Sequence, residues 1–335
     1  MAMQSREIRL AARPKGEPRQ EDFTLASVEL KNPGVGEVLV KNLYFSVDPY
    51  MRGRMNDAKS YVPPFTVGRA MEGSAVGVVA ASRDDSLPVG SLVLSMFGWR
   101  EAYVAQARIL QRLDASLAPP STFLGLLGIT GLTAWVGLWK IARLQPGETV
   151  FISGGAGAVG SAACQLAKLR DCKVIASAGT EAKVKMIRED LGANFAFNYK
   201  DGDPLKHLMH AAPEGIHVYF DNTSGPQLEA AITALKERGR VAMCGAIAGY
   251  NHPVPGPRNM INVIGKRLRL EGFIISDYIG SLHEFLGDVA PAYKSGKIRS
   301  YETVVEGIDQ APEAFMNLLH SGDAHTGKMV IHLTD

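Results

Sequence analysis

Cysteine and histidine are almost absent from the first half of this chain. Among its 335 residues there are three cysteines, Cys164, Cys172 and Cys244, and the first 163 residues contain neither cysteine nor histidine. So few cysteines, in an odd number, exclude a disulfide framework and are typical of a reducing compartment, so we expect a cytoplasmic protein. Because zinc sites are built mainly from cysteine and histidine, we predict no metal centre and interpret His207 and His210 as surface residues of a helix.

An excess of charge and a long apolar run are also missing. Lysine and arginine total 36 against 34 aspartate and glutamate, a net charge of +2, which gives no electrostatic reason to expect a nucleic-acid partner. The longest apolar stretch, near residues 123–136, is interrupted by glycine and threonine and falls short of the about 20 residues that a membrane-spanning helix needs. Hydrophobic residues make up 46% of the chain, enough for a folded core. We therefore predict a globular protein with neither a membrane nor a nucleic acid as partner.

The pattern of apolar residues changes near residue 125. Short β-rich runs at residues 37–43, 74–80, 91–94 and 101–105, separated by turn residues, indicate a small β-barrel or sandwich-like domain. Beyond them, six predicted strands (149–153, 173–177, 196–198, 216–220, 240–243 and 268–275) alternate with predicted helices (158–169, 181–191 and 227–236). This alternation predicts an α/β domain with a doubly wound, six-stranded parallel sheet. A strand-like tail at 328–333 is expected to rejoin the first domain. We therefore predict a first domain of residues 1–125 completed by about 303–335, and a second domain of residues 126–302.

A glycine-rich turn carries the strongest functional signal. The segment GAGAVG at residues 155–160 satisfies the pattern G-x-G-x-x-G, follows a predicted strand and opens a predicted amphipathic helix. Small residues let the backbone approach a pyrophosphate, and the start of the helix offers free N–H groups and a partial positive charge to that anion. We therefore predict a dinucleotide site here; an ordinary strand-to-helix turn is the alternative.

The end of the second strand of this unit selects the dinucleotide. Enzymes that use NAD place an acidic residue there to bind the ribose hydroxyls. This chain has SAGT at residues 177–180, and the first acid, Glu181, is followed by Lys183. Because a lysine attracts a 2′-phosphate whereas a carboxylate would repel it, the sequence favours NADP, unless Lys183 is only a solvated helix residue.

Seven motifs, in order along nearly the whole chain, resemble one known group. They are SVDPYMR at 46–52, SYVPPF at 60–65, GAVG at 157–160, FNYK at 197–200, YFDN at 219–222, CGAI at 244–247 with Tyr250-Asn251, and TGK at 326–328. The chain resembles the zinc-independent medium-chain dehydrogenase/reductases, specifically the leukotriene B4 dehydrogenase, prostaglandin reductase and 2-alkenal (double-bond) reductase group, including curcumin-reductase-like bacterial proteins.

This resemblance implies a GroES-like catalytic domain made from both chain ends, a central Rossmann domain, an active site in the cleft between them, NADP(H) as cofactor and a homodimer. It implies that Lys183 and Tyr199 hold the 2′-phosphate side and that His325, where the family commonly has asparagine, contributes a further contact. The residues implied to bind the pyrophosphate are Gly157, Ala158, Val159 and Gly160. Those implied to line the nicotinamide half are Asn222, Cys244, Gly245, Ala246, Ile247, Tyr250, Phe273, Ile274 and Ile275.

Without a metal, a hydrogen-bond donor must stabilise the enolate that forms when hydride reaches a conjugated carbon. Tyr250 lies one turn beyond a predicted strand, and a tyrosine hydroxyl, with an ordinary pKa of about 10, is protonated at neutral pH. We therefore expect Tyr250 to be catalytic in an NADPH-dependent reduction of α,β-unsaturated aldehydes or ketones, although a structural or cofactor-packing role is also open. Tyr50 and Tyr61 are candidate substrate contacts. The alternatives are a quinone reductase, an enoyl-thioester reductase and a non-catalytic NADPH-binding protein.

Overall fold

A computed structural model describes residues 3–320 and 325–333 of the chain. Contacts between residues divide it into two units. Unit 1 comprises residues 3–124, 302–320 and 328–333, and unit 2 comprises residues 125–301 and 325–327. The assignment of residues 325–327 to unit 2 differs from the sequence-based division, which gave the whole tail to the first domain.

The first part of unit 1 is rich in strands. These elements are β1 (Met3–Leu10), β2 (Phe23–Leu30), β3 (Glu37–Ser46), α1 (Met51–Arg54), β4 (Ala75–Ser82), β5 (Leu92–Ser95), β6 (Ala102–Gln106) and β7 (Gln111–Arg112). The four strands expected between residues 37 and 105 are present with slightly different ends. β1 and β2, which form an antiparallel two-stranded sheet, were not predicted. Only part of β1 is buried, so its apolar alternation is weak in the sequence.

Unit 2 alternates strands with helices. Its elements are α2 (Ile129–Val136), β8 (Thr149–Ile152), α3 (Ala158–Leu169), β9 (Lys173–Ala178), α4 (Glu181–Glu189), β10 (Phe195–Asn198), α5 (Pro204–Ala211), β11 (Ile216–Asp221), α6 (Gly225–Ala234), β12 (Leu235–Met243), α7 (Ile261–Gly265), β13 (Arg269–Gly272) and α8 (Leu282–Lys294). The six strands form one parallel sheet in the order β10-β9-β8-β11-β12-β13. This order confirms the predicted doubly wound sheet.

Large aromatic side chains fill the core of unit 2. The ring of Phe151 stacks on those of Tyr219 and Phe197, with centroids 4.9 and 5.7 Å apart. A π-helical turn, Gly137–Ile141, continues α2 against the sheet. A Cβ atom on Gly137 would lie 2.4 Å from the Phe220 ring, so this close approach requires glycine.

The chain then returns to unit 1 with β14 (Glu302–Glu306), α9 (Ala311–His320) and β15 (Lys328–His332). β15 was expected from the sequence, and it pairs with β14 and β3 in the larger sheet, whose order is β14-β15-β3-β4-β5-β7, with β6 also paired to β3. Short 3-10 segments connect elements in both units, at Gln20–Asp22, Ala107–Ile109, Pro120–Leu124, Ile247–Gly249, Ile275–Ser281 and Ile308–Gln310. In the described part of the chain, no helix has the length and hydropathy that crossing a bilayer requires.

The parallel sheet determines where functional residues gather. Because the strands β8 to β13 run in one direction, the residues that follow them meet at one edge, which we call the carboxyl edge of unit 2. Ser153, Gly179, Tyr199, Asn222 and Cys244 are among the residues at this edge. Ligands of open α/β sheets bind outside this edge.

Candidate cofactor site and catalytic residues

The glycine-rich turn joins β8 to α3 in a conformation that depends on its glycines. Gly154 has a positive φ of 61°, and a Cβ atom on Gly160 would lie 2.1 Å from the Gly154 carbonyl oxygen. Substitution of Gly160 would therefore force the turn and the helix apart. Gly157 precedes the helix in extended conformation, so α3 begins at Ala158, the predicted residue.

The first turn of α3 is suited to an anion. The Ser161 N–H donates to the Gly157 carbonyl at 2.8 Å, so the N–H groups of Ala158, Val159 and Gly160 precede the first bond within the helix. No acidic residue lies in this turn, and the helix is 12 residues long. These free donors and the helix dipole present positive potential at the carboxyl edge, which fits a pyrophosphate.

The tail of unit 2 contacts this same turn. The Gly327 N–H donates to the Ala156 carbonyl at 2.8 Å, and Gly327 forms a bridge with Gly157. Because of this contact, His325, which is 9% exposed, lies two residues from a segment that bonds to the glycine-rich turn. Residues 321–324, which precede His325, lie outside the described residues.

The ends of β9 and β10 form the next part of the edge. Thr180 caps α4 by accepting from the Lys183 N–H at 3.4 Å, and the Tyr199 N–H donates to the Ala178 carbonyl at 3.0 Å. The structure thus brings Thr180, Lys183 and Tyr199 to neighbouring strand ends. Ser177, which is buried near the end of β9, donates its hydroxyl to the buried Gln227 amide oxygen. These residues offer hydroxyl and ammonium groups, which fit a 2′-phosphate.

A buried network orders the ends of β8 and β11. The Asn222 amide donates to the Ser153 carbonyl at 2.8 Å, and the Asn222 N–H donates to the Ser153 hydroxyl at 3.0 Å. The Asp221 carboxylate accepts from the Tyr219 hydroxyl at 2.8 Å and from the N–H groups of Thr223 and Ser224 at 2.9 and 2.7 Å. Sequence reasoning assigned no role to Ser153 or Asp221. Their position at the ends of predicted strands was the feature of the sequence that could have indicated a role at this edge.

The segment after β12 contains the candidate catalytic residue. The N–H groups of Cys244 and Gly245 both donate to the Asp221 carbonyl, at 2.9 and 3.0 Å. Tyr250 follows a 3-10 turn and is half-buried, and its hydroxyl oxygen lies 3.7 Å from the position that a Cβ atom on Gly245 would occupy. The phenol of Tyr250 thus lies over the predicted nicotinamide-binding segment, which also includes Ala246 and Ile247.

Burial at this edge changes the pKa values of two acidic groups, the Cys244 thiol and the Asp221 carboxyl. Burial raises the pKa of the Cys244 thiol to about 12, and the charge of Asp221 adds to this rise, so Cys244 stays protonated and is unsuited to be a nucleophile. Burial also raises the pKa of the Asp221 carboxyl, while its hydrogen-bond donors oppose that rise. Neither group has the environment of an acid–base catalyst.

The residues after β13 differ in exposure. Phe273 is buried, and its ring lies 3.0 Å from the position of a Cβ atom on Gly137, so its side chain belongs to the core of unit 2. Ile274 and Ile275 are half-buried. Of these three residues, which were predicted to line the cofactor site, only the two isoleucines therefore have side chains that are partly exposed.

The two tyrosines predicted to contact substrate lie close together in unit 1. Tyr50 directly precedes α1 and is half-buried, whereas Tyr61 is 59% exposed and lies in a bend of an irregular segment. Burial raises the pKa of the Tyr50 phenol, the neighbouring Asp48 adds to this rise, Arg54 opposes it, and Tyr61 adds a smaller contribution. The Tyr50 hydroxyl is therefore a proton-bearing hydrogen-bond donor over the physiological pH range.

A buried ion pair supports this region. The Lys328 ammonium, 3% exposed, donates to the Asp48 carboxylate at 2.7 Å and to the Val47 carbonyl at 2.9 Å. It joins the strand β15 to the motif that contains Tyr50. In the described residues, no group of three or more His, Cys, Asp and Glu side chains is arranged to hold a metal ion. His207 and His210 lie in α5; His210 is exposed, whereas His207 is half-buried and its ring stacks on that of Phe197 with centroids 4.8 Å apart.

Comparisons with known proteins agree with this architecture. Residues 6–113 match the N-terminal domain of oxidoreductase and residues 158–290 match the zinc-binding dehydrogenase family. The NADPH-dependent curcumin reductase of Escherichia coli is 36% identical, covering 97% of this chain and 95% of the relative. The 2-alkenal reductase of Nicotiana tabacum is 38% identical over 94% of this chain and 95% of the relative. The chain belongs to the medium-chain dehydrogenase/reductases, in their zinc-independent reductase group.

A solved member of this family has the same fold throughout. The crystal structure of CurA from Vibrio vulnificus in complex with NADPH superposes with a TM-score of 0.93 at 36% identity, covering 98% of this chain and 99% of that protein. The expected medium-chain reductase fold, with its N-terminal GroES-like domain and its Rossmann sheet, is thereby confirmed.

Proposed function

We propose that this protein is an NADPH-dependent oxidoreductase that reduces the C=C bond of α,β-unsaturated aldehydes and ketones. The observation that carries the proposal is the carboxyl edge of unit 2, where the acid-free start of α3 lies beside the start of α4, which bears Thr180 and Lys183. The NADPH-dependent curcumin reductase and the NADPH complex of CurA support the cofactor, and the related 2-alkenal and curcumin reductases support the substrate class.

Different groups of residues at this edge fit different parts of NADPH. The N–H groups at the start of α3, from Ala158 to Gly160, suit the pyrophosphate, and Lys183 with Tyr199 suits the 2′-phosphate. His325, Asn222 and the segment from Cys244 to Ile247 are assigned to the nicotinamide half, together with Ile274, Ile275 and the backbone of Phe273. When bound, NADPH supplies the hydride.

The chain's own part in the reaction is to stabilise charge and to orient substrate. In our proposal the Tyr250 hydroxyl donates a hydrogen bond to the substrate oxygen, on which negative charge develops as the enolate forms. It then gives its proton to that oxygen, and water returns a proton to the Tyr250 phenolate. A positioned donor of this kind contributes about 10²–10³-fold to the rate. Tyr50 and Tyr61 are assigned to hold the substrate, and the raised pKa keeps the Tyr50 phenol a donor.

Charged surfaces weigh against an enoyl thioester as the substrate. The group that carries an enoyl thioester bears phosphates, and these would need free basic side chains where the substrate enters the site. Arg54 is buried and bonded to Pro63 and Glu72, Arg52 is buried and bonded to Gly16 and Asn56, and Arg258 pairs with Glu229 at 3.0 Å. All three arginines are thus committed to contacts within the chain.

An NADPH-oxidation screen tests the proposal. Enals, enones and quinones are compared as substrates, with NADPH and NADH as cofactors. We expect turnover of enals and enones with NADPH. A strong preference for quinones would make the protein a quinone reductase, and tight NADPH binding without turnover of any of these compounds would make it a non-catalytic NADPH-binding protein.

The role of Tyr250 has its own test. Because Tyr250→Phe removes only the hydroxyl, we expect kcat/KM on an enone to fall by about 10²-fold while the Kd of NADPH is retained. Tyr293→Phe, which changes a tyrosine of α8, is the matched control and should keep full activity. A Tyr250→Phe variant with wild-type kcat/KM would remove this residue from the mechanism.

We further propose a cytoplasmic homodimer. The three cysteines are free thiols, in keeping with a reducing compartment. β13 lies at one end of the parallel sheet, and Ile261 and Ile264 of α7 are 72% and 74% exposed beside it. Edge strands and apolar patches of this kind are typical of contacts between chains. Light scattering of the wild type and of Ile264→Glu tests the dimer, which the variant should weaken.

A further inference from the structure

One arginine contacts both elements that carry the candidate substrate tyrosines. Arg54 ends the short helix α1, four residues after Tyr50, and its side chain is 7% exposed. Its guanidinium is near enough to the Tyr50 phenol for its charge to lower the pKa of that phenol, against the larger effect of burial. A buried arginine with so many partners acts on the geometry of its neighbours as well as on stability.

The same guanidinium holds the far end of the segment that carries Tyr61. Arg54 Nε donates to the Pro63 carbonyl at 2.9 Å, and the guanidinium carbon lies 4.1 Å from the centre of the Phe65 ring. The Arg54 backbone carbonyl accepts from the Phe65 N–H at 2.7 Å. Arg54 Nη2 donates to the Glu72 carboxylate at 2.8 Å, which fixes the plane of the guanidinium.

The segment between these contacts is irregular. Residues 56–64 contain neither helix nor strand and are exposed or half-buried, and Tyr61 itself is 59% exposed. Near its beginning, Asn56 accepts from Arg52 and Asp57 pairs with Arg13 at 3.5 Å. The segment is bounded by two buried residues, Met55 and Phe65. Arg54 adjoins the first of these residues and bonds to the second.

We propose that Arg54 is a positioning residue that sets the distance between Tyr50 and Tyr61 and thereby the fit of the substrate. This inference rests on the proposed function, in which both tyrosines contact the substrate. Only arginine satisfies the arrangement, because its planar fork donates to a carbonyl and a carboxylate at once and stacks on a ring, whereas lysine is a point charge. The sequence patterns assigned no role to Arg54.

The first test compares Arg54→Gln and Arg54→Lys with a matched control. Arg100 is also a partly buried arginine of unit 1 that donates to a carbonyl, that of Met71 at 3.1 Å, and lies over a ring, that of Phe97 at 5.6 Å. We expect Arg54→Gln to raise the KM for an enone about tenfold or more, with Arg54→Lys intermediate, and with the Kd of NADPH changed less than about twofold. Arg100→Gln should leave KM near the wild-type value.

A second readout needs no activity. Lys59 lies in the exposed segment, so trypsin cleaves there at a rate that reports how firmly the segment is held. We expect Arg54→Gln to accelerate cleavage after Lys59 by about tenfold at a temperature where the variant is folded, and Arg100→Gln to leave it unchanged.

The outcomes separate this inference from the proposed function. If the wild type turns over no enone, the proposed function fails, and cleavage at Lys59 still tests whether Arg54 holds the segment. If Arg54→Gln changes KM and cleavage no more than Arg100→Gln does, the positioning role is overturned. In a Tyr61→Ala background Arg54→Gln should raise KM less than in the wild type, and equal effects in both backgrounds would also overturn it.

Discussion

The carboxyl edge of unit 2 and the tyrosine region of unit 1 are built in different ways. The edge consists of glycines, strand ends and backbone N–H groups, and its glycine-rich turn is built from residues a few positions apart in the sequence. The tyrosine region, formed by Tyr50, Arg54 and Tyr61, depends on buried charged side chains, among them Lys328, which is 280 residues from its partner Asp48. Backbone geometry serves an invariant ligand such as a dinucleotide, whereas side-chain contacts are easily changed to fit different substrates.

Among the variants that test this comparison of the two regions, we expect the largest loss of stability when the buried ion pair of unit 1 is broken. Lys328→Met leaves the Asp48 carboxylate without its cation, and we expect the free energy of unfolding to fall by about 3–5 kcal/mol. Lys140→Met is the control in unit 2, because Lys140 pairs with Glu284 at the surface, and it should cost less than about 1 kcal/mol. Denaturant unfolding measures both, and equal losses would contradict the distinction.

The next effect concerns the glycine-rich turn of unit 2. Because a Cβ atom on Gly160 would lie 2.1 Å from the Gly154 carbonyl oxygen, Gly160→Ala must displace the turn. We expect a loss of about 1–3 kcal/mol in stability and a weaker Kd for NADPH, measured by fluorescence titration. Gly265→Ala, where the added methyl group would have open space, should change neither quantity.

Cofactor selection should depend on one charged side chain of the carboxyl edge. Lys183→Gln removes the ammonium assigned to the 2′-phosphate, so we expect the preference for NADPH over NADH, as the ratio of kcat/KM values, to fall about tenfold. Lys185→Gln on the same helix is the control, since Lys185 is exposed and only 3.9 Å from Glu189. An unchanged ratio in Lys183→Gln would assign Lys183 to the solvated helix surface.

The smallest expected effect lies at the opposite end of the sheet in unit 2. Burial lowers the pKa of His217, and the nearby Lys236 lowers it further, while Glu148 opposes this shift. The unfolded chain, with a histidine pKa of about 6.5, therefore takes up the proton first as the pH falls, and stability present above that value is lost below it. We expect less than about 1 kcal/mol of loss between pH 7.5 and 5.5.

His217→Gln should flatten this pH dependence. A glutamine oxygen can still accept the Thr149 N–H, which now donates to His217 Nδ1 at 3.0 Å, so the local structure is kept. Urea unfolding at the two pH values measures the difference. A variant with the slope of the wild type would assign the acid sensitivity to other groups.

Sequence patterns were most informative where structure is local. The strand-turn-helix of the glycine motif, the helix start at Ala158 and all six strands of the sheet were predicted because apolar periodicity and glycine spacing express short-range geometry. The ends of longer elements were less accurate. β12 begins at Leu235, well before residue 240, since its first residues are charged and lack the apolar pattern of a buried strand.

The sequence by itself determined the unit with the parallel sheet, the glycine-rich turn and the absence of an acid at the end of β9, because each depends on neighbouring residues. Only the tertiary structure decided that Arg54 contacts both tyrosine elements, that Asp48 pairs with Lys328, and that Asp221 orders the loops after β11 and β12. Such contacts join residues that are distant along the chain or lie in irregular segments. Their partners are selected by packing and burial, for which no spacing rule exists.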